Sequence, residues 1–244
     1  MKYFFILIFF LSTGLLAEES RLTYYAHKPS YLINGSPDFK GQASFKYQLI
    51  KDFDLYLGSK NIIIWEISKA SSPITDANYN PDFFYRLRTE KSWLESMDFG
   101  FFDHESNGRA GIESRSVNRN YIQLNHHFHL DQKELFITNN FFTSYHVDKE
   151  TPDFRKYTGI FESTLRLTHL ASFLAYDELM FRFFFGGKYS TDPSKGGQEI
   201  SYLFKFKNFR FEPDFMIQYY HGYKESMLSY NQSHDSVRFG IVLK

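Results

Sequence analysis

The chain has 244 residues, room for one large domain, and a formal net charge of zero, so no basic excess points to nucleic acid. It has no cysteine, which excludes a disulfide framework, a thiolate metal site and a lipid-modified N-terminal cysteine. Yet 20% of its residues are aromatic while the mean hydropathy is mildly polar, at −0.41. Many Phe and Tyr without long apolar runs imply apolar residues dispersed at alternate positions.

The N-terminus comes first. Lys2 precedes an apolar run from Tyr3 to Leu11, and Ser12, Gly14, two leucines and the small residue Ala17 follow. A positive start, a short apolar segment and a small residue read as a secretory signal peptide over residues 1–17. The mature chain, 18–244, reads as a single domain. No later segment holds eighteen consecutive apolar residues, so no transmembrane helix is expected there.

Past Glu18, period-two alternation dominates. Ala43, Phe45, Tyr47 and Leu49 alternate with polar residues. Ile122, Leu124, Phe128 and Leu130 share one parity, and Tyr121, Gln123, Asn125, His127 and His129 the other. Ile200, Tyr202, Phe204 and Phe206 share a face, as do Val237, Phe239, Ile241 and Leu243. Roughly ten to twelve such segments fit, each as long as a tilted strand needs to cross a bilayer. In lipid, an open sheet edge leaves backbone groups unpaired, so such strands must close. The expected fold is all-β: a transmembrane antiparallel barrel of about 12 strands in the outer membrane. A soluble exported sandwich or lipocalin-like barrel is the alternative.

The run "DHESNGRAGIESRSVNRNY" at 103–121 is unusually polar. His104 and Ser106 are two apart, so in an extended chain they point to the same side. An imidazole there can take the serine proton as the hydroxyl attacks a carbonyl. Asn118 follows after a turn, and its side-chain oxygen can orient the ring. Asn118 has the parity of Ile122 and Leu124, the expected lipid side. A polar triad facing lipid makes sense for a lipid substrate. The preceding strand conflicts: Met97, Phe99 and Phe101 are odd, whereas His104 and Ser106 are even. A bulge near 101–103 would re-aim the pair, but no bulge signature stands out in the sequence.

These residues resemble outer-membrane phospholipase A. Its signature is a His-x-Ser-Asn-Gly-Arg run followed by Ser-Arg-Ser-x-Asn-Arg, and this chain has "HESNGR" at 104–109 and "SRSVNR" at 114–119. The similarity extends to "SSPITDANYNPDFF" at 71–84, "KYTG" at 156–159 and "YYHGYKESMLSYN" at 219–231. The resemblance implies a twelve-stranded barrel, active as a calcium-dependent homodimer, that hydrolyses acyl esters of membrane phospholipids. By position it implies Ser106 as nucleophile, His104 as base, Asn118 as orienter and the Gly108 N–H at the oxyanion. It implies Ca2+ held by the Arg109 carbonyl and the Ser114 hydroxyl, with a Ser71 carbonyl from a second subunit. The family often has an aspartate two residues after the Arg; here that position is Gly111. A non-catalytic, porin-like barrel is the rival function.

Two further features have ordinary readings. His127 and His129 share a strand face and could bite one ion, but no third ligand is identifiable in the run "HHFH", so polar lining of the lumen is preferred. Arg109, Arg115 and Arg119 could meet lipopolysaccharide phosphates at the outer rim.

Overall fold

A computed structural model describes residues 24–25, 27–211 and 213–243. The proposed signal peptide lies outside them. The strands are β1 (Tyr24–Tyr25), β2 (Ser30–Ser36), β3 (Phe39–Ile50), β4 (Phe53–Trp65), β5 (Ile74–Lys91), β6 (Leu94–Ser106), β7 (Ser116–Leu130), β8 (Lys133–Val147), β9 (Phe161–Thr168), β10 (Leu174–Gly186), β11 (Asp192–Phe206), β12 (Asp214–Gly222) and β13 (His234–Leu243). The one α-helix among the described residues, α1, spans Arg155–Thr158. Each strand pairs antiparallel with the next in sequence from β2 onward. β13 then pairs with β2, from Val237↔Ser36 to Leu243↔Ser30, and closes the sheet. β1 and β2 both lie against β3, so they form one interrupted strand of a twelve-stranded barrel. The closed barrel agrees with the sequence expectation. No helix among the described residues is long and apolar enough to cross a membrane.

The alternation sets the two faces. On β13, Ser236, Arg238 and Val242 are buried, while Val237, Phe239 and Leu243 are exposed. On β12, Met216, Gln218 and Tyr220 turn in and Ile217 and Tyr219 turn out. The outer surface therefore carries Leu32, Leu57, Leu87, Ile122, Leu179, Ile200 and Phe239 as exposed apolar residues. So wide an apolar band is unstable in water and is what lipid requires. Strands of 13 to 15 residues, such as β6 and β7, are longer than a tilted crossing needs, so they project beyond the bilayer.

The lumen is polar and paired. Arg238 bonds Asp38 at 2.6 Å and Glu225 at 2.5 Å with no exposure of its own side chain. Arg182 bridges Glu162 and Glu199, and Arg86 grips Asp98 through two 2.7 Å bonds. Buried charges persist only when paired in this way. Apolar clusters sit among them: Tyr31, Ile33, Leu203, Met216 and Val242 in one, Val117, Phe154, Met227 and Tyr230 in another.

The two ends differ. Two-residue turns at 51–52, 92–93 and 131–132 lie at the end that carries both ends of the strand order. Asp52 and Asp131 take the left-handed conformation there, which Asp tolerates. The longer loops 66–73, 107–115, 148–160 and 223–233 lie at the other end. Short turns face the periplasm and long loops the exterior in such barrels.

Candidate active site

The site is built where β6 and β7 meet the loop 107–115. Lower on β6, the even residues Ser96 and Asp98 are buried and the odd Met97 and Phe99 are turned out. Phe101 and Phe102 are then both exposed, and beyond them Asp103 and Glu105 are buried while His104 and Ser106 turn outward. The parity has switched. The cause is a bulge: the β6–β7 register breaks between Gly100 and Asp103, and the β5–β6 register breaks between Phe83 and Phe84. One extra residue in one strand flips every later side chain. The parity conflict along β6, between Met97, Phe99 and Phe101 on one side and His104 and Ser106 on the other, is thereby resolved.

The sequence carried one signal for this bulge. Gly100 lies opposite Tyr121, and a Cβ there would run into the Tyr121 ring. A glycine inside a strand marks a bulge or a close approach. Here it is both, and the Tyr121 hydroxyl reaches across to donate to Asp82 at 3.0 Å.

Past the bulge, His104 pairs in register with Asn118 and Ser106 with Ser116. His104 Nδ1 lies 2.6 Å from Asn118 Oδ1. An amide oxygen only accepts, so Nδ1 carries the proton and Nε2 is left as the basic nitrogen. Phe102 lies parallel to the His104 ring, with centroids 6.0 Å apart. Ser106 stands two residues on, on the same outward face and half-buried. No hydrogen bond among the described residues joins it to His104. Such bonds are often long in a free enzyme and tighten with substrate.

Behind this outward pair lies a buried polar brace. Arg119 donates to Asp103 at 2.9 Å and to Glu105 at 3.0 Å, and its guanidinium lies over the Phe142 ring at 4.6 Å. Lys224, from loop 223–233, donates to the same Glu105 oxygen at 2.8 Å. Asn80 donates to Asp103 and, at 3.1 Å, to the His104 carbonyl. The two carboxylates flank His104 in sequence, so the brace fixes the backbone that carries the imidazole. Arg119 therefore faces the lumen, not the outer rim. Parity explains it: in a strand, Arg119 must face away from Asn118.

Asn107 latches the loop. It is 4% exposed, and its Nδ2 donates to the Glu113 carbonyl at 2.8 Å. Its Oδ1 accepts from the Arg115 and Arg109 amides at 3.0 and 3.3 Å. Gly108, at φ +65°, takes the left-handed turn that follows, with the Tyr79 ring beside it. Asn107→Ala is expected to lose about 2–3 kcal/mol of stability from these unmade bonds. Acyl hydrolysis should fall with it as the loop loosens; unchanged denaturation and activity would contradict the latch.

Arg109 is held by Glu113 at 2.6 Å and by the Thr75 carbonyl. The Ser114 hydroxyl donates to Asp148 Oδ2 at 2.6 Å. That hydroxyl and the Glu150 amide hold the Asp148 carboxyl below the usual carboxylate range. Asp148 is a residue the sequence did not reveal, because it lies 34 positions from Ser114 and only the β7–β8 hairpin returns it. Ser71 is exposed in the turn between β4 and β5, at φ +63°, and no contact among the described residues joins it to Arg109 or Ser114.

Comparison with known proteins agrees with this architecture. The family model described as Phospholipase A1 matches residues 4–243. Phospholipase A1 of Escherichia coli (strain K12) is 27% identical over 268 residues, covering 96% of this chain and 86% of that protein. Phospholipase A1 of Salmonella typhimurium is 26% identical with the same coverage. Among solved structures, outer membrane phospholipase A from Escherichia coli superposes with a TM-score of 0.74 at 22% identity, over 93% of this chain and 94% of that one. The Salmonella typhi outer membrane phospholipase, solved as a dimer with bound calcium, gives 0.74 at 23% identity with the same coverage. The closed barrel and its apolar belt place this chain in the outer membrane, and it belongs to the phospholipase A1 family.

Proposed function

We propose that the protein hydrolyses acyl ester bonds of membrane phosphoglycerides, with Ser106, His104 and Asn118 as a catalytic triad. The observation that carries this reading is the His104–Asn118 hydrogen bond on the outward face of β6 and β7, beside Ser106. A soluble substrate would have no reason to meet a triad on the lipid side. Ser106 is the last residue of β6 and His104 lies about 7 Å further in. That level suits the ester region of an outer-leaflet lipid.

Ser106 Oγ attacks the acyl carbonyl carbon as His104 Nε2 takes its proton. Asn118 holds the Nδ1–H tautomer, and without a charge of its own it orients the ring more than it stabilises the imidazolium. The Gly108 N–H faces the developing oxyanion. The carbon–oxygen bond to the lysolipid alcohol then breaks, and His104 returns the proton to that oxygen. Water attacks the acyl-serine through the same base, releasing a fatty acid and restoring Ser106.

The oxygen-only donors around Ser114 fit a calcium ion, which prefers hard ligands. The Arg109 carbonyl, the Ser114 hydroxyl and Asp148 would hold it, with a Ser71 carbonyl from a second subunit in a homodimer. Calcium would supply positive charge next to the oxyanion. The adjacent Asp148 carboxylate makes up for Gly111, which has no side-chain oxygen to offer. Asp148→Ala should therefore raise the calcium concentration for half-maximal activity about tenfold or more; an unshifted calcium curve would remove Asp148 from the site. Asn118→Ala should lower the hydrolysis rate about 100-fold, the low end of an acid–base contribution, and a rate near wild type would mean that His104 needs no orienting partner.

The ion pairs that cross the lumen favour this reading over a porin. The nucleophile is tested by treating the detergent-solubilised barrel with an alkyl sulfonyl fluoride and mapping the adduct by peptide mass. A single adduct on Ser106 that His104→Ala suppresses is expected. Labelling elsewhere, or none in an active preparation, would overturn the triad.

A further inference from the structure

At the far end of β7 the lumen-facing parity brings His127 and His129 to the periplasmic mouth of the barrel. The tight turn at 131–132 sets His129 opposite Glu134 in the register. His127 Nε2 and His129 Nδ1 lie 3.6 and 3.7 Å from the same oxygen, Glu134 Oε1. One ligand atom from each residue falls within 4.8 Å of the others. The sequence lacked this third ligand only because the hairpin, not the run itself, supplies it.

The two separations are too long for hydrogen bonds. They are close to the spacing of donors around a tetrahedral zinc ion, which at metal–ligand distances near 2.1 Å is about 3.4 Å. His127 is also preset. Its ring stacks on Phe136 at 4.2 Å, with the planes 14° apart. Its Nε2 is buried with no hydrogen-bond partner among the described residues. Buried polar atoms are nearly always paired, and one that is not needs an explanation. A cation between the three residues would pair it.

We propose that His127, His129 and Glu134 form a binding site for a first-row transition-metal cation of the zinc type, with water completing the shell. Two imidazoles and one carboxylate suit zinc, nickel or copper and not calcium, which prefers oxygen donors. The site is separate from the oxygen cluster at Ser114 and Asp148. His127 stands nine positions beyond Asn118 on the same strand, roughly 30 Å away. A metal there cross-links β7 to β8 at the lumen mouth and stabilises the folded barrel by mass action.

The test is a titration of the untagged, full-length barrel in detergent with Co2+, a zinc surrogate with visible absorption, under excess Ca2+. The expected result is one equivalent bound per barrel, with a low-coordinate absorption band that Zn2+ displaces. His129→Ala and Glu134→Ala should each abolish the band. These side chains are 75% and 37% exposed, so the barrel should keep its circular dichroism and its calcium-dependent hydrolysis. No band in the wild-type barrel, or a band that survives in either variant, would overturn the proposal.

Discussion

Ser106→Ala is expected to reduce fatty-acid release by about 10⁴-fold or more, the scale on which a nucleophile's loss collapses a whole triad. The barrel should not notice. Ser106 is half-buried, makes no side-chain hydrogen bond among the described residues and lies at the end of β6. Its circular dichroism and unfolding midpoint should match the wild type. Calcium should still bind, because Ser114 and Asp148 are untouched. The variant thus separates chemistry from folding. His104→Ala should fall to the same level, and the double variant no lower, because the two act as one unit. A Ser106→Ala barrel with a tenth of wild-type activity would exclude Ser106 as the nucleophile.

Arg119→Met should cost the barrel a large share of its stability and the site its geometry. The guanidinium is buried and satisfies Asp103 and Glu105 together. Removing one partner of a buried pair leaves charge uncompensated, and the usual cost is 3–5 kcal/mol. Glu105 keeps Lys224 and Asp103 keeps Asn80, so about 3 kcal/mol is expected, read as a shift in the denaturation midpoint. Activity should drop about 100-fold even where the barrel stays folded, because displacement of the backbone at His104 by about 1 Å is enough. Arg119→Lys should recover only part of this, since a single flexible ammonium lacks the planar fork that presents separate nitrogens to Asp103 and Glu105. A variant as stable and active as wild type would show that the brace does not position the site.

The barrel was legible because lipid on one side and a polar lumen on the other impose strict alternation. Val237, Phe239, Ile241 and Leu243 were assigned to one face from sequence, and they are the outward face of β13. The pairing of His104 with Asn118 was legible through the motif. The route by which His104 reaches the outward face was not. Alternation is read strand by strand, and a bulge is a mismatch between strands; only Gly100, opposite the Tyr121 ring, hinted at it. Asp148 and Glu134 escaped for a related reason. Each joins its partners across a hairpin, and register across a hairpin is set by turn geometry, which the residue pattern only loosely encodes. Arg119 was readable by parity once Asn118 was placed outward. Grouping it with Arg109 and Arg115 as a basic rim overlooked that.

The central claim is that a lipid-facing serine on this barrel cleaves phospholipid esters with the help of calcium. The most direct measurement is fatty-acid release from phospholipid by the detergent-folded protein, with calcium and with excess chelator, beside Ser106→Ala. Release that requires calcium and vanishes in the variant is the expected result. Release that persists in Ser106→Ala, or none from a wild-type barrel shown to be folded in calcium, would contradict it.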